Sequence, residues 1–278
     1  MSDALVSVLT ALADDELVLG HRHSEWTGFG PHIEEDIAFS SIAQDEVGHA
    51  AAYYGVVAAE TGDDPDRLAL GRLPGDYRHA IVCERPNRDW AFSLTRQWLY
   101  DHADALRLES LERSSHQGLA QLARKMRREE RYHLIHADAW MERVAGGPVE
   151  GRKRIVDALS PAFDEALGLF EPFEDEPEAL ANGILTVPSD ELRRSFMERT
   201  RATLDKLGLP TEVQTRAAET AEFIASSSGD LIASEPKGEG DRAAGGALGG
   251  RTGRHTHDFE ELWSVMTSTY RENPGASW

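Results

Sequence analysis

The sequence predicts an all-α fold, a four-helix bundle followed by further helices, on three observations. Apolar residues recur at steps of three and four through residues 3–145. A Glu-x-x-His pair occurs in Gln44-Asp45-Glu46-Val47-Gly48-His49 and again in Glu130-Arg131-Tyr132-His133, 84 residues later. A lone carboxylate precedes each pair at nearly the same distance: Glu16 lies 30 residues before Glu46, and Asp101 lies 29 before Glu130. A Glu and a His three apart share one face of a helix. An out-and-back path of two helices at 1.5 Å per residue regains its starting depth after about 30 residues. Two such pairs, joined by carboxylates from two further helices, form the ligand set of a carboxylate-bridged di-iron or di-manganese bundle. One pair is chance in a chain with 49 acidic residues and 11 His. Two pairs at matched spacing are not.

The first helix is expected at 3–25, with Ser2 or Asp3 as N-cap. Leu5, Leu9, Leu12, Glu16, Leu19 and His23 fall on one stripe, so Glu16 interrupts an apolar face. Alone, Glu16 reads as a solvated boundary residue; the later motifs make it a candidate ligand. Gly28, Gly30 and Pro31 turn the chain. The second helix, 32–61, places Ile42, Glu46, His49, Ala50 and Tyr53 together. A lone buried His is more often a hydrogen-bonded core residue than a ligand. Glu46 one turn away shifts that balance, because two buried polar groups need partners and a metal supplies them.

Residues 66–88, with Pro74, Gly75 and Pro86, read as a short helix and a loop, the crossover that a ferritin-like bundle needs between its hairpins. Asn87 or Asp89 can cap a third helix at 89–115, with Leu94, Gln97, Asp101, Ala105 and Leu108 inward. Asp104, Glu109 and Glu112 compete with Asp101, but lie only 26, 21 and 18 residues before Glu130, too few to regain its depth. The fourth helix, 117–145, carries Leu119, Leu122, Met126, Glu130, His133, Ala137 and Trp140 inward and stops at Gly146-Gly147-Pro148. Glu129 sits about 100° around the helix from Glu130 and is assigned to a neighbouring or solvated position.

A C-terminal extension, 149–278, completes what is read as one domain over 1–278. Helices are expected at 149–171, 190–207, 211–225 and 258–271, with a Pro-containing acidic loop at 172–188 and an irregular Gly-rich segment at 234–257.

Hydrophobic residues at 40% and charged residues at 28% describe an ordinary globular protein. A net charge of −20 excludes nucleic-acid binding through phosphates and fits a high-salt habitat or basic partners. The lone Cys83 excludes an internal disulfide and fits a reducing cytoplasm. No secretion signal opens the chain, and no apolar run approaches the roughly 20 residues that span a bilayer. Arg124, Lys125, Arg127 and Arg128 form a basic cluster, read here as a solvated helix face in preference to a phosphate or partner site. No flavin or dinucleotide fingerprint and no cysteine cluster is present, so electrons would come from outside.

Several stretches carry a resemblance. Leu17-Val18-Leu19 with Glu25-Trp26, Arg96-Gln97 with Asp101, Arg131-Tyr132-His133-Leu134, Gly253-Arg254-His255-Thr256, and Pro274-Gly275 with terminal Trp278 resemble the C component of bacterial phenylacetyl-CoA epoxidase, a multicomponent di-iron monooxygenase. Gln44-Asp45-Glu46-x-Gly48-His49 and Asp190-Glu191-Leu192-Arg193 resemble its catalytic A component. The C component of that family is regarded as structural, whereas this chain keeps Glu16, Glu46, His49 and Glu130. The resemblance implies two irons, with manganese as the alternative. Glu46 and Glu130 would bridge or chelate, Glu16 and Asp101 would be terminal carboxylates, and His49 and His133 would give one nitrogen to each metal. It implies O₂-dependent epoxidation of an aromatic acyl-CoA, a reductase, and partnership with a homologous ferritin-like subunit. Leu159, Phe163, Leu167 and Phe170, then Phe259, Leu262, Trp263 and Met266, are apolar positions beyond those the four-helix core can use and are expected at the subunit interface with Trp278 as anchor, the alternative being that they cap their own domain. Three roles stay open: a catalytic subunit, a structural subunit of that complex, and a ferritin- or rubrerythrin-like iron or peroxide-handling protein.

Overall fold

The computed structural model describes residues 3–210 and 248–276. The helix expected at 211–225, most of the Gly-rich segment and Trp278 lie outside them. No strand occurs among the described residues, and none of their helices is long and apolar enough to cross a membrane.

The ferritin-like core is two helix hairpins. Helix α1 (Asp3–Ser24) packs along α2 (Ile33–Thr61), and α5 (Trp90–Leu111) packs along α6 (Gln117–Ala145). The two hairpins meet where α2 touches α6. Local chemistry sets the ends. Gly62 closes α2 at φ 76°, its N–H donating to the Ala58 carbonyl. The Asp89 carboxylate caps α5 by accepting from the Phe92 N–H at 2.9 Å. His116 does the same for α6 through Nδ1 and the Leu119 N–H.

Gly20 sets the distance between α1 and α2. A Cβ there would lie 2.9 Å from Val47 Cγ2 and 3.0 Å from Glu46 Cβ. The glycine lets two backbones approach one turn from Glu16, beside Glu46.

The crossover is more structured than a loop with one helix. It contains α3 (Pro65–Leu70), a 3₁₀ turn (Pro74–Asp76) and α4 (Ile81–Glu84). Beyond the core come α7 (Val149–Ala166), a 3₁₀ turn (Leu167–Phe170), α8 (Glu176–Ala181) and α9 (Ser189–Lys206). Helix α8 lies where a loop is expected; Pro177 at its start has the φ a first helical turn needs. The last expected helix is split at Thr267 into α10 (His257–Met266) and α11 (Ser268–Glu272).

Helix α5 is wrapped by α6, α7 and α9, so even its polar residues Arg96, Gln97, Asp101, Asp104 and Arg107 are buried. The interface expected from apolar periodicity is overturned here. Leu159, Phe163, Leu167, Phe170, Phe259, Leu262 and Met266 are buried within their own chain, and the indole of Trp263 donates to the Arg72 carbonyl at 2.9 Å. They cap the domain. A helical stripe shows that a face is apolar, not which chain covers it. Large apolar residues left exposed include Phe29 before α2, Ile33 and Ile37 in its first turns, Tyr132 and Ile135 on α6, Val149 at the start of α7 and Val265 on α10.

Candidate metal centre

Each helix of the core brings one part of the centre: Glu16 from α1, Glu46 and His49 from α2, Asp101 from α5, Glu130 and His133 from α6. All six side chains are buried. Glu16, Glu46, His49 and Glu130 each place a donor atom within 4.8 Å of the others, and so do Glu46, Asp101 and His133. Two overlapping groups result, sharing Glu46. His49 Nδ1 stands 3.3 Å from Glu130 Oε1 and 3.5 Å from Glu16 Oε2. His133 Nδ1 stands 3.0 Å from the same Glu130 oxygen and 3.9 Å from Glu46 Oε1.

These contacts are close but not aligned as hydrogen bonds. Both oxygens of Glu46, Asp101 and Glu130, Oε2 of Glu16, and Nδ1 of both histidines are buried without a hydrogen-bond partner. Leaving several carboxylate oxygens and two imidazole nitrogens in that state costs several kcal/mol per ion unless a cation completes them. The donor set, oxygen with two imidazoles and no thiolate, suits iron or manganese. These residues fit such ions.

The electrostatics agree. Burial, then the Glu16, Glu130 and Asp101 carboxylates, push Glu46 far above the usual carboxylate range. Burial and Glu130 do the same to Asp101. Burial pushes the histidines down, yet the carboxylates around them outweigh it. His49 is held at about 11 by Glu130 and Glu16, and His133 at about 10 by Glu130, Asp45 and Asp101. Without metal, protons are the cations of this centre.

The outer side of each imidazole is fixed across the hairpins. His49 Nε2 lies 3.1 Å from Glu129 Oε2, and His133 Nε2 lies 3.1 Å from Asp45 Oδ2. Each carboxylate is the residue just before the Glu of the opposite helix's pair. An acceptor on Nε2 keeps the proton there and turns the Nδ1 lone pair inward. Glu129 is therefore a partner of the centre, on the neighbouring side assigned by its helical angle.

Other neighbours are not evident from spacing. Tyr100 donates its hydroxyl to Glu16 Oε1 at 2.9 Å. Three consecutive acids of α1 are buried and point three ways. Asp14 accepts from Tyr54, Arg72 and the Arg78 N–H. Asp15 is balanced by Arg107 at 2.8 Å and Arg251 at 2.7 Å, while Glu16 faces the centre. The signal is the run Asp14-Asp15-Glu16 inside an apolar helix, although the separate partners are not readable from it. Of the residues competing with Asp101, Asp104 pairs with Arg107, Glu109 with Arg199 and Glu112 with Arg127.

The model of the family described as phenylacetic acid catabolic protein matches residues 1–223. Along 276 residues the chain is 26% identical to the C subunit of 1,2-phenylacetyl-CoA epoxidase from Escherichia coli (strain K12), covering 99% of both chains. It is also 26% identical over 203 residues to the A subunit of the same epoxidase and organism, covering 68% of this chain and 65% of that one.

Proposed function

The chain belongs to the phenylacetic acid catabolic protein family, and from that premise we propose that it is a metal-bearing subunit of a phenylacetyl-CoA epoxidase-like oxygenase. The observation that carries this reading is the set of buried, unpartnered donor atoms on Glu16, Glu46, His49, Asp101, Glu130 and His133. Two divalent irons would bring four positive charges to four carboxylates, and when bound they would supply the chemistry of O₂ reduction. Glu16, Glu46, Asp101 and Glu130 would hold the metals through carboxylate oxygens, and His49 and His133 through Nδ1. Glu129 and Asp45 hold the imidazoles in the ligating tautomer. The six side chains are themselves buried, which keeps bulk water away. The substrate is an aromatic acyl-CoA, taken to its epoxide. Electrons come from an external reductase, in the reducing cytoplasm that the free, buried Cys83 suits.

A second reading, a subunit whose task is assembly with a catalytic homologue, is favoured by the near full-length match to the C subunit of the epoxidase. The exposed Phe29, Ile33, Ile37, Tyr132 and Ile135 offer such a homologue an apolar face. Metal analysis decides. The purified chain, alone and with its partner, is expected to hold two irons per chain. Less than about 0.2 iron per chain in both preparations leaves only the second reading.

A further inference from the structure

The two halves of the candidate centre repeat in sequence but differ in their surroundings. Around His49 four residues converge, Glu16, Glu46, His49 and Glu130; around His133 three do, Glu46, Asp101 and His133. Glu130 Oε1 stands 3.3 Å from His49 Nδ1 and 3.0 Å from His133 Nδ1, so it can turn to either side. What separates the halves is the pair of lone carboxylates, Glu16 and Asp101.

Glu16 is oriented by its own chain. Tyr100 donates its hydroxyl to Glu16 Oε1 at 2.9 Å, and both residues are buried. With that oxygen engaged, Oε2 is the free donor, 3.5 Å from His49 Nδ1 and without a hydrogen-bond partner. The phenol is held in turn. The Arg107 guanidinium lies over its ring, 5.1 Å from the centroid, and pairs at 2.8 Å with Asp15, the residue before Glu16. Two consecutive acids of α1 are thus tied to two residues of α5. Asp101 has no such donor, and both its oxygens are unpartnered. A carboxylate already oriented loses less freedom on binding a cation than one the cation must order.

We propose that the two metal positions are unequal. The position at Glu16 and His49 fills first and more tightly, and Tyr100 is the positioning residue that sets Glu16 for it. The position at Asp101 and His133 has fewer protein donors and is the one that takes a small exogenous ligand, as metal sites with few protein ligands do. The assignment rests on the metal-bearing reading above and adds to it an order of filling and a side of ligand entry.

The test is titration of the metal-free, full-length chain with Co(II), whose visible absorption reports its ligand geometry, with affinities set by competition against a calibrated chelator. The wild type should bind in two steps, the first tighter by about tenfold or more; this arm needs no variant. Asp101→Asn should weaken the second step about tenfold or more and leave the first within about threefold. Tyr100→Phe should weaken the first step about tenfold, the usual size for an outer partner of a ligand, and alter the absorption of the first equivalent. A merely structural role for Tyr100 would lower the melting temperature of the metal-free variant and leave that absorption unmoved. Azide should change the absorption of the two-cobalt form and not that of the one-cobalt form. Two equal steps, a first step lost in Asp101→Asn, an azide response at the first equivalent, or affinity and absorption untouched by Tyr100→Phe overturns the proposal. Its failure is separate from failure of the metal reading: two equal steps remove only the inequality, whereas a chain that binds no cobalt loses both.

Discussion

Among the described residues two clusters of histidine and carboxylate are buried, and they differ in what they still need. In the candidate metal centre, Glu46, Asp101 and Glu130 have no hydrogen bond on either oxygen. In the second cluster, Glu84 accepts from His79 Nε2 at 2.7 Å and His255 Nδ1 at 2.9 Å through one oxygen, and from the Thr256 N–H at 2.7 Å through the other. His255 Nε2 lies 3.0 Å from the Tyr77 carbonyl, and the two imidazoles stack with centroids 4.0 Å apart. Rings stacked face to face aim their lone pairs side by side, not at one point. The Glu84 cluster is a knot joining the C-terminal segment to the crossover, satisfied at both carboxylate oxygens although His79 Nδ1 has no hydrogen-bond partner. Residue type and burial are alike in both; whether the carboxylate oxygens are partnered separates a place for cations from a structural tie.

Exchanging the damage between the clusters gives the largest effects. Glu130→Ala or His49→Ala should reduce bound iron from two per chain to below about 0.5, measured by elemental analysis. Glu84→Ala should leave iron unchanged in the folded fraction, but cost about 3–5 kcal/mol in denaturant unfolding, because buried groups lose their charged partner. Iron lost equally in both would dissolve the distinction.

Chelation should act on one cluster only. Metal at a thousandfold its dissociation constant stabilises by about 4 kcal/mol. Removing it should lower the melting temperature by roughly 10 °C in a chain of this size. The His49→Ala variant should melt at the same temperature with and without chelator.

The two clusters should also answer pH with opposite signs. In the metal-free centre Glu46, Asp101, His49 and His133 hold protons more tightly than their ordinary values of 4.5, 3.8 and, for both histidines, 6.5. The folded chain then binds more protons than the unfolded one, so this contribution is full at low pH and declines as pH rises above those values. Glu130, held at about 2, opposes this only below its ordinary 4.5. For Glu84, burial pushes upward, but His255 and His79 outweigh it and hold the carboxyl well below 4.5. His79 is depressed by burial and by His255. That cluster's contribution is present above 4.5 and 6.5 and is lost as pH falls. Unfolding of the metal-free chain between pH 3 and pH 9 should therefore show stability falling toward pH 9, and Glu84→Gln should flatten the loss below its ordinary 4.5.

The smallest expected change is at the outer side of the imidazoles. Asp45→Asn and Glu129→Gln should each weaken iron binding about tenfold, the lower end for such partners, while the metal-free chain loses only about 0.5–1.5 kcal/mol, the net worth of a hydrogen bond. Competition with a calibrated chelator reads this. Unchanged affinity in both would show that the cross-hairpin contacts do not orient the ligands.

The core helices are legible in the sequence because their signals are local. Apolar steps of three and four, Asp89 before α5 and Gly146 after α6 each act within a turn or two. The six-residue centre is legible for the same reason, since i,i+3 pairs and out-and-back spacings are properties of helices and short loops. Helix α8 escapes such a reading because a proline in an acidic stretch has the same composition in a loop and in a first helical turn.

The sequence by itself determined which core helices form, which faces are apolar, and that Glu16, Glu46, His49, Asp101, Glu130 and His133 can come to one depth. Only the tertiary structure decided which buried acids are balanced and which are not. Asp14, Asp15 and Glu16 are successive residues on one helix, yet Asp15 finds Arg251 from 236 positions away, and Glu16 finds only other acids, histidines and a tyrosine. A rotation of 100° per residue sends neighbouring side chains to different parts of the molecule, and burial makes each depend on whatever cation the fold brings there.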